Sequence, residues 1–314
     1  MATSGSFTFK LNALEIIRDA LIESTVIQDN QRIEGGMYDW MLRRLNVILK
    51  SFQTKGMHLW KVKEVTLLME KDKIEYTLGP GGDRASESVI RSITTTVTSS
   101  GATTVDCVST GMTVGDVVIM EMDDATAHAT TIATIPDAAS ITLTDVTDDT
   151  AAIGNIVYTY TSLIEKPLRL LEGYVIQKGN EDAHVPLNVI PREEYMRLNN
   201  KETASYPVSL YFNPERLTSK LKIWPVSVNN VARIVMTFDM PIDDMNVATD
   251  DLAMPDWWYE ALHLKLAHAA ARSYMVPIDK VRELKSDAKE AISEAEDYGV
   301  ETTYIQIIPE VRYS

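Results

Sequence analysis

Pro255-Asp256-Trp257-Trp258-Tyr259 opens the stretch, running on to Tyr298, whose reading decides the fold. Proline at an early helical position gives up only an N–H that lacks an intrahelical partner, so the run reads as a helix start. Trp258, Ala261, Leu262, Leu266, Ala269 and Ala270 then recur at helical spacing until Pro277 interrupts. A second, more charged helix carries Val281, Leu284, Ala288, Ala291, Ile292 and Ala295 on one face. Alanine-rich faces let helices approach closely, and a tryptophan pair at the mouth is a large apolar anchor. Taken locally, this is the core hairpin of a globular domain. The only other helical region lies at the N-terminus. A bundle made from both chain ends leaves the middle as a β-rich excursion.

At that N-terminus, residues 11–26 read as a helix with Leu14, Ile17, Leu21 and Ile22 as its apolar stripe. Asn12 is its N-cap, with Glu15 three residues on. Gly35-Gly36 marks a break, and a second helix runs from about Met37 to Thr54. Met37, Met41, Leu45, Ile48 and Phe52 line one side, Trp40 broadens it, and Gly56 closes it. Helices this short need partners. The C-terminal hairpin supplies them.

From Leu59 the period changes to two. Trp60, Val62, Val65, Leu67 and Met69 read as a strand, Ile74 to Leu78 as its hairpin mate, and Gly79-Pro80-Gly81-Gly82-Asp83 as a turn. That loop matches no phosphate-binding fingerprint, since no G-x-G-x-x-G opens a helix and no GK[ST] follows. Residues 93–161 differ in texture: lysine and arginine are absent from Ile93 to Glu165, and Thr, Val, Ala and Asp dominate. Short strands are expected at Thr94–Thr98, Thr103–Val108, Asp116–Met122, Ala127–Ile135, Ser140–Thr144 and Ile156–Tyr160, with a turn at Pro136-Asp137. This is a compact inserted β module, a small barrel or two-sheet unit. The outer β domain resumes through Leu168–Ile176, Val185–Ile190, a short 191–198 helix, Tyr206–Phe212, Lys220–Trp224 and 231–238. In that last strand Ile234, Met236 and Phe238 share a face.

No apolar run reaches the length that spans a bilayer, and Met1-Ala2-Thr3-Ser4-Gly5 lacks the basic region and apolar core of a signal peptide. The single cysteine, Cys107, excludes an internal disulfide and a cysteine-based zinc site, and suits synthesis in a reducing cytoplasm. A net charge of -15 argues against a general nucleic-acid-binding surface, which needs Lys and Arg to neutralise phosphates. Chemistry is not legible. His263 and His268 are too far apart for an H-E-x-x-H pair, and there is no G-x-S-x-G. Asp123/Asp124 and Asp148/Asp149 lack EF-hand spacing and read as acidic turns. The expectation is no catalytic site, no cofactor and no metal. In the last helix Glu283–Asp287, Lys285–Lys289 and Glu290–Glu294 are like-charge pairs four apart, a pattern not optimised for a lone helix. After Gly299, Tyr304, Ile305, Ile307 and Ile308 form a strand-like tail too apolar for an idle terminus, suited to docking on a partner.

The pattern as a whole resembles the head-to-tail adaptor (connector, or tail accessory factor) proteins of short-tailed double-stranded DNA bacteriophages. Four features carry the resemblance: the helix end Asn46 to Trp60, the Tyr76–Asp83 loop, the Pro207–Trp224 run, and the Pro255–Tyr298 hairpin. Each is moderately specific, and their order is more so. The resemblance implies a structural virion protein at the head–tail junction, made in the host cytoplasm. It implies a homo-oligomeric ring of twelve subunits beneath the portal protein, extending the DNA channel and offering a platform to the tail nozzle. Genomic DNA passes without sequence-specific binding, and no membrane is involved. Trp40, Phe52 and Trp60, with Trp257 and Trp258, are then the expected helical core and junction. Arg43, Arg44 and Lys285 are candidate inter-subunit contacts, with a solvated face as their alternative. Trp224 reads as a β-core or domain-junction residue.

The expected class is α+β: a helical domain built from both chain ends (1–59 and 250–298), a β-rich central domain (60–92 and 162–249), the inserted small β-barrel or two-sheet module (93–161) and an extended tail (299–314). Competing readings are another neck or tail ring, such as a stopper or nozzle, and a receptor- or glycan-binding tail protein. The latter needs aromatics lining a groove, and the module offers only Tyr158 and Tyr160.

Overall fold

The computed structural model describes residues 9–54, 59–177, 183–230 and 232–299, and the protein is α+β. In chain order, helices α1 (Ala13–Glu23) and α2 (Gly35–Gln53) precede strands β1 (Val62–Leu68), β2 (Glu75–Leu78) and β3 (Ala85–Ser86). Six strands follow: β4 (Ile90–Ile93), β5 (Thr104–Asp106), β6 (Val117–Glu121), β7 (Ala127–Asp137), β8 (Ser140–Leu143) and β9 (Ile156–Tyr160). Then come β10 (Arg169–Ile176), β11 (His184–Pro186), β12 (Asn188–Val189), helix α3 (Arg192–Arg197), β13 (Ser209–Pro214), β14 (Ser219–Trp224) and β15 (Arg233–Asp239). Helices α4 (Tyr259–Ser273) and α5 (Ile278–Tyr298) close the described chain. The described residues form two compact units, one up to residue 61 together with those from 242 onward, the other within residues 62–241.

In the first unit, α1, α2, α4 and α5 bury one shared core in which Ile17, Leu21, Leu45, Phe52, Trp258, Leu262, Leu266 and Leu284 meet. Asn12 and Glu15 form a reciprocal capping box: Glu15 N–H donates to Asn12 Oδ1 at 3.0 Å and Asn12 N–H to Glu15 Oε2 at 2.9 Å. The stripe of α1 is rotated from the expected one. Leu14 is exposed, while Ala13, Ile16, Ile17, Ala20 and Leu21 are buried in the shared core as α1 packs on α4. Gly35-Gly36 is not a break but the first turn of α2. Gly56 and the tail residues Tyr304, Ile305, Ile307 and Ile308 lie outside the described residues.

The return segment 242–254 also belongs to this unit. The Asn46 side chain clamps it from α2, donating to the Met245 carbonyl at 2.7 Å and accepting from Met245 N–H at 2.9 Å. Lys50 Nζ donates to the Ile242 carbonyl at 2.6 Å and pairs with Asp244 at 2.8 Å. Ile242, Met245 and Leu252 are thereby buried in the helical core.

In the second unit a five-stranded sheet, β11-β10-β15-β1-β3, and a four-stranded sheet, β12-β13-β14-β2, share one core. The expected hairpin between β1 and the strand after it does not form. β1 pairs with β15 and β3, whereas β2 pairs with β14 in the other sheet. Val65 and Leu67 share a single core with Tyr76 and Leu78. Strands in separate sheets can meet face to face across that core, whereas a hairpin would set them side by side. Trp60, expected in β1, sits in a 3-10 turn, Leu59–Lys61.

The inserted module is a six-stranded sheet, β4-β9-β6-β7-β8-β5, curled until its edges meet. Thr94 bridges Cys107, and Thr95 N–H donates to the Asp106 carbonyl at 2.8 Å. Closure of this kind removes free edges. Thr94–Thr98, expected as a strand, makes only isolated bridges, and Ile90–Ile93 is the ladder strand instead. Thr94 Oγ1 donates to the Ala152 carbonyl at 2.6 Å, and Thr96 Oγ1 crosses the closure to Asp106 Oδ2 at 2.7 Å. β7 runs through Pro136, and the reversal falls one step later at Ala138-Ala139, held by Asp137 Oδ1.

Candidate functional site

Trp258 and Phe52 anchor the helical unit, their ring centroids 5.2 Å apart, and both are buried. Trp40 is half-buried and meets Tyr274 edge-on at 5.9 Å, and Trp60 packs half-buried on the same core. Trp257, expected with Trp258 in the helical core or its junction, faces outward at 41% exposure and pairs with Tyr298 at 5.0 Å. The two tryptophans are neighbours in a 3-10 turn, where successive side chains diverge by about 120°, so only one can enter the core.

Next to these anchors α2, α4 and α5 frame an open cationic cleft. Trp40, Arg44, Ile48, Lys265, His268 and Arg272 line one half. Lys265 and His268 continue into a second half with Lys285, Ala288, Lys289 and Ile292. No carboxylate lines either half among the described residues, in a chain of net charge -15. Helical spacing puts Lys265, His268 and Arg272 on one face of α4, and Lys285 and Lys289 on one face of α5. Lys265 Nζ donates to Ser51 Oγ at 2.8 Å and lies 4.3 Å from the Phe52 ring centroid. Arg44, Arg272, Lys285 and Lys289 make no ion pair among the described residues. The floor is apolar: Ile48, Ala269 and Ala288 are buried beneath the cations.

His268 registers this field. Burial holds its pKa below the usual imidazole value, and Arg272, Lys285 and Arg44 push in the same direction. An anion in the cleft would oppose the three cations and favour the protonated imidazole. The arrangement is therefore suited to binding carboxylate- or phosphate-type groups over an apolar floor.

Of the three expected contact residues, the cleft gathers Arg44 and Lys285, whereas Arg43 is exposed and does not line it. Sequence pattern does not single out Lys265 or Arg272, although spacings of three and four along α4 set both on one face with His268. The remaining candidates have structural roles. Asp123 Oδ1 accepts from Ala152 N–H and Asn155 Nδ2, and Asp124 Oδ1 from Thr126, which builds two turns. Asp148 Oδ2 meets His128 Nδ1 at 2.6 Å. Among the described residues no three His, Cys, Asp or Glu side chains group as metal ligands would. Tyr158 and Tyr160 are buried, so the module presents no exposed aromatic. Trp224 donates to the Asn200 carbonyl at 2.8 Å and packs on the small Ile190–Tyr195–Tyr211 cluster.

The Tyr76–Asp83 loop is held by an ion network: Lys73 Nζ lies 2.8 Å from Glu70 and 2.5 Å from Asp83, whose other oxygen accepts from Thr77 N–H at 2.6 Å. No protein-family model matches the chain, and no curated protein matches its sequence.

Proposed function

We propose that this chain is a head-to-tail adaptor, a structural ring subunit that binds beneath a phage portal, lengthens the DNA channel and carries the tail. The observation that carries this reading is the union of the N-terminal helix pair with the Pro255–Tyr298 hairpin around one core. Those are two of the four features on which the resemblance rests, and the β-rich excursion between them holds the other two. A closed ring of identical subunits needs two different complementary surfaces on each. The chain offers strongly unlike ones, a cationic cleft on the helical unit and an inserted barrel whose residues 93–161 hold no lysine or arginine. An acidic balance also suits a channel wall that does not retain moving DNA.

The test is capture by a cognate portal ring followed by electron microscopy of the complex. The expected result is a ring of subunits, twelve by resemblance, seated on the portal. Failure to bind that portal in any ring form overturns the assignment.

A further inference from the structure

We propose that the cationic cleft over α2, α4 and α5 receives the acidic turn Asp145-Val146-Thr147-Asp148-Asp149 from the barrel of a second copy. The cleft asks for a ligand with two properties. Five cationic side chains, four of them without an ion pair among the described residues, call for negative charge. The apolar floor and the half-buried Trp40 call for an apolar side chain between the charges.

The 145–149 turn has both. Asp145, Val146 and Asp148 are exposed, Val146 at 54%, and Asp149 is half-buried, while Thr147 among them is buried. Thr147 pins the turn: its Oγ1 donates to the Ser99 carbonyl at 2.8 Å and its N–H to the Ala102 carbonyl at 2.9 Å, and its own carbonyl accepts from Gly101 N–H at 2.8 Å. Asp148 leans on His128 Nδ1 yet leaves 77% of its side chain in solvent. The outward set is thus acid, apolar, acid on a turn ordered before binding, which lowers the entropic cost of docking.

Charge complementarity selects a second copy. Between residues 93 and 165 the chain places ten of its 45 Asp and Glu and none of its 30 Lys and Arg. Each copy therefore carries both halves of the contact on different surfaces, which makes the contact heterologous, the type from which rings are built. A nucleic-acid backbone is the less fitting occupant. It supplies charge but no apolar side chain for the floor, and it meets the repulsion of a chain with net charge -15. The contact deepens the ring reading, and its test needs no portal.

The full chain is examined by sedimentation at low ionic strength, about 0.05 M, where screening is weak. Two variants are compared, Lys285→Glu with Lys289→Glu, and Asp145→Lys with Asp149→Lys, their folding checked by circular dichroism. Each variant alone is expected to self-associate about tenfold less tightly than the parent. Mixing the two should restore association, because the reversed turn of one meets the reversed cleft of the other. Carbodiimide coupling of an equal mixture of isotopically light and heavy parent chains should join Lys285 or Lys289 of one copy to Asp145 or Asp149 of another. A mixture no better associated than either variant, no coupling between light and heavy chains, or cleft-dependent binding of duplex DNA in place of self-association each overturns the proposal. A portal complex that forms normally while this contact fails removes the contact and leaves the adaptor reading standing.

Discussion

The Lys265 ammonium lies 4.3 Å from the centroid of the Phe52 ring. One residue belongs to the C-terminal hairpin and the other to the N-terminal helix pair, so this contact joins the two chain ends where the core meets the cleft. The same ring is tilted against Trp258, the two centroids 5.2 Å apart. Phe52→Ala is expected to cost about 3–5 kcal/mol, since it leaves a cavity beneath both partners. Lys265→Met keeps the stem and loses the charge, at a cost of about 1 kcal/mol. Urea unfolding of the two variants measures both, and a Phe52→Ala chain as stable as the parent would contradict the assigned core.

Helix α1 is well closed at one end and strained at the other. Asn12→Ala removes the capping box and should cost about 1 kcal/mol. At the far end Thr25 adopts φ 58°, a left-handed conformation that suits glycine and disfavours a β-branched residue. Thr25→Gly is expected to raise stability by up to about 1 kcal/mol. Thermal unfolding should show the two changes with opposite sign.

Gly82 and Gly81 separate steric from conformational need within one loop. A Cβ at Gly82 would sit 2.4 Å from the Thr77 carbonyl oxygen, backbone that Asp83 and the β2–β14 ladder hold in place. At Gly81 there is open space, but φ is +70°. Gly81→Ala should therefore cost about 1–2 kcal/mol, and Gly82→Ala more, because backbone must move. Chemical denaturation ranks them, and equal losses would argue against the packed loop.

His268 predicts a dependence on pH. Its pKa in the folded chain is lowered, first by burial and then by Arg272, Lys285 and Arg44. The unfolded chain, with an imidazole near pH 6.5, binds the proton more readily. The contribution of His268 to stability is thus intact above about pH 6.5 and is lost as pH falls from there through the lowered value. Two measurements follow: the imidazole should titrate below the ordinary range by NMR and move up in Arg272→Ala, and His268→Gln should lose less stability than the parent on acidification. A His268 resonance titrating above the ordinary range would reverse the sign.

How far the sequence could be read depended on the range of the information. Asn12 and Glu15 act across three residues, so their capping box was legible. So was the face of Ile234, Met236 and Phe238 on β15, which a period of two exposes directly. Leu14 was misplaced because two stripes of α1 are apolar and only the packing of α4 chooses between them. The cleft was half legible: Arg44 and Lys285 stood out as charges, but on helices more than 200 residues apart in the chain nothing local says that they face one space.

By itself, then, the sequence determined the α+β class, the helical character of both chain ends, the acidic β insertion and the caps and turns that punctuate them. Each of these is written in neighbours or in a short repeat. Tertiary structure alone decided that β1 and β2 lie in separate sheets, that Thr94 meets Cys107 to close the barrel, that Trp258 rather than Trp257 enters the core, and that Lys265 and His268 join Arg44 and Lys285 around one cleft. Those outcomes depend on which distant surfaces exclude water together, and burial of apolar area is non-directional until the partners have met.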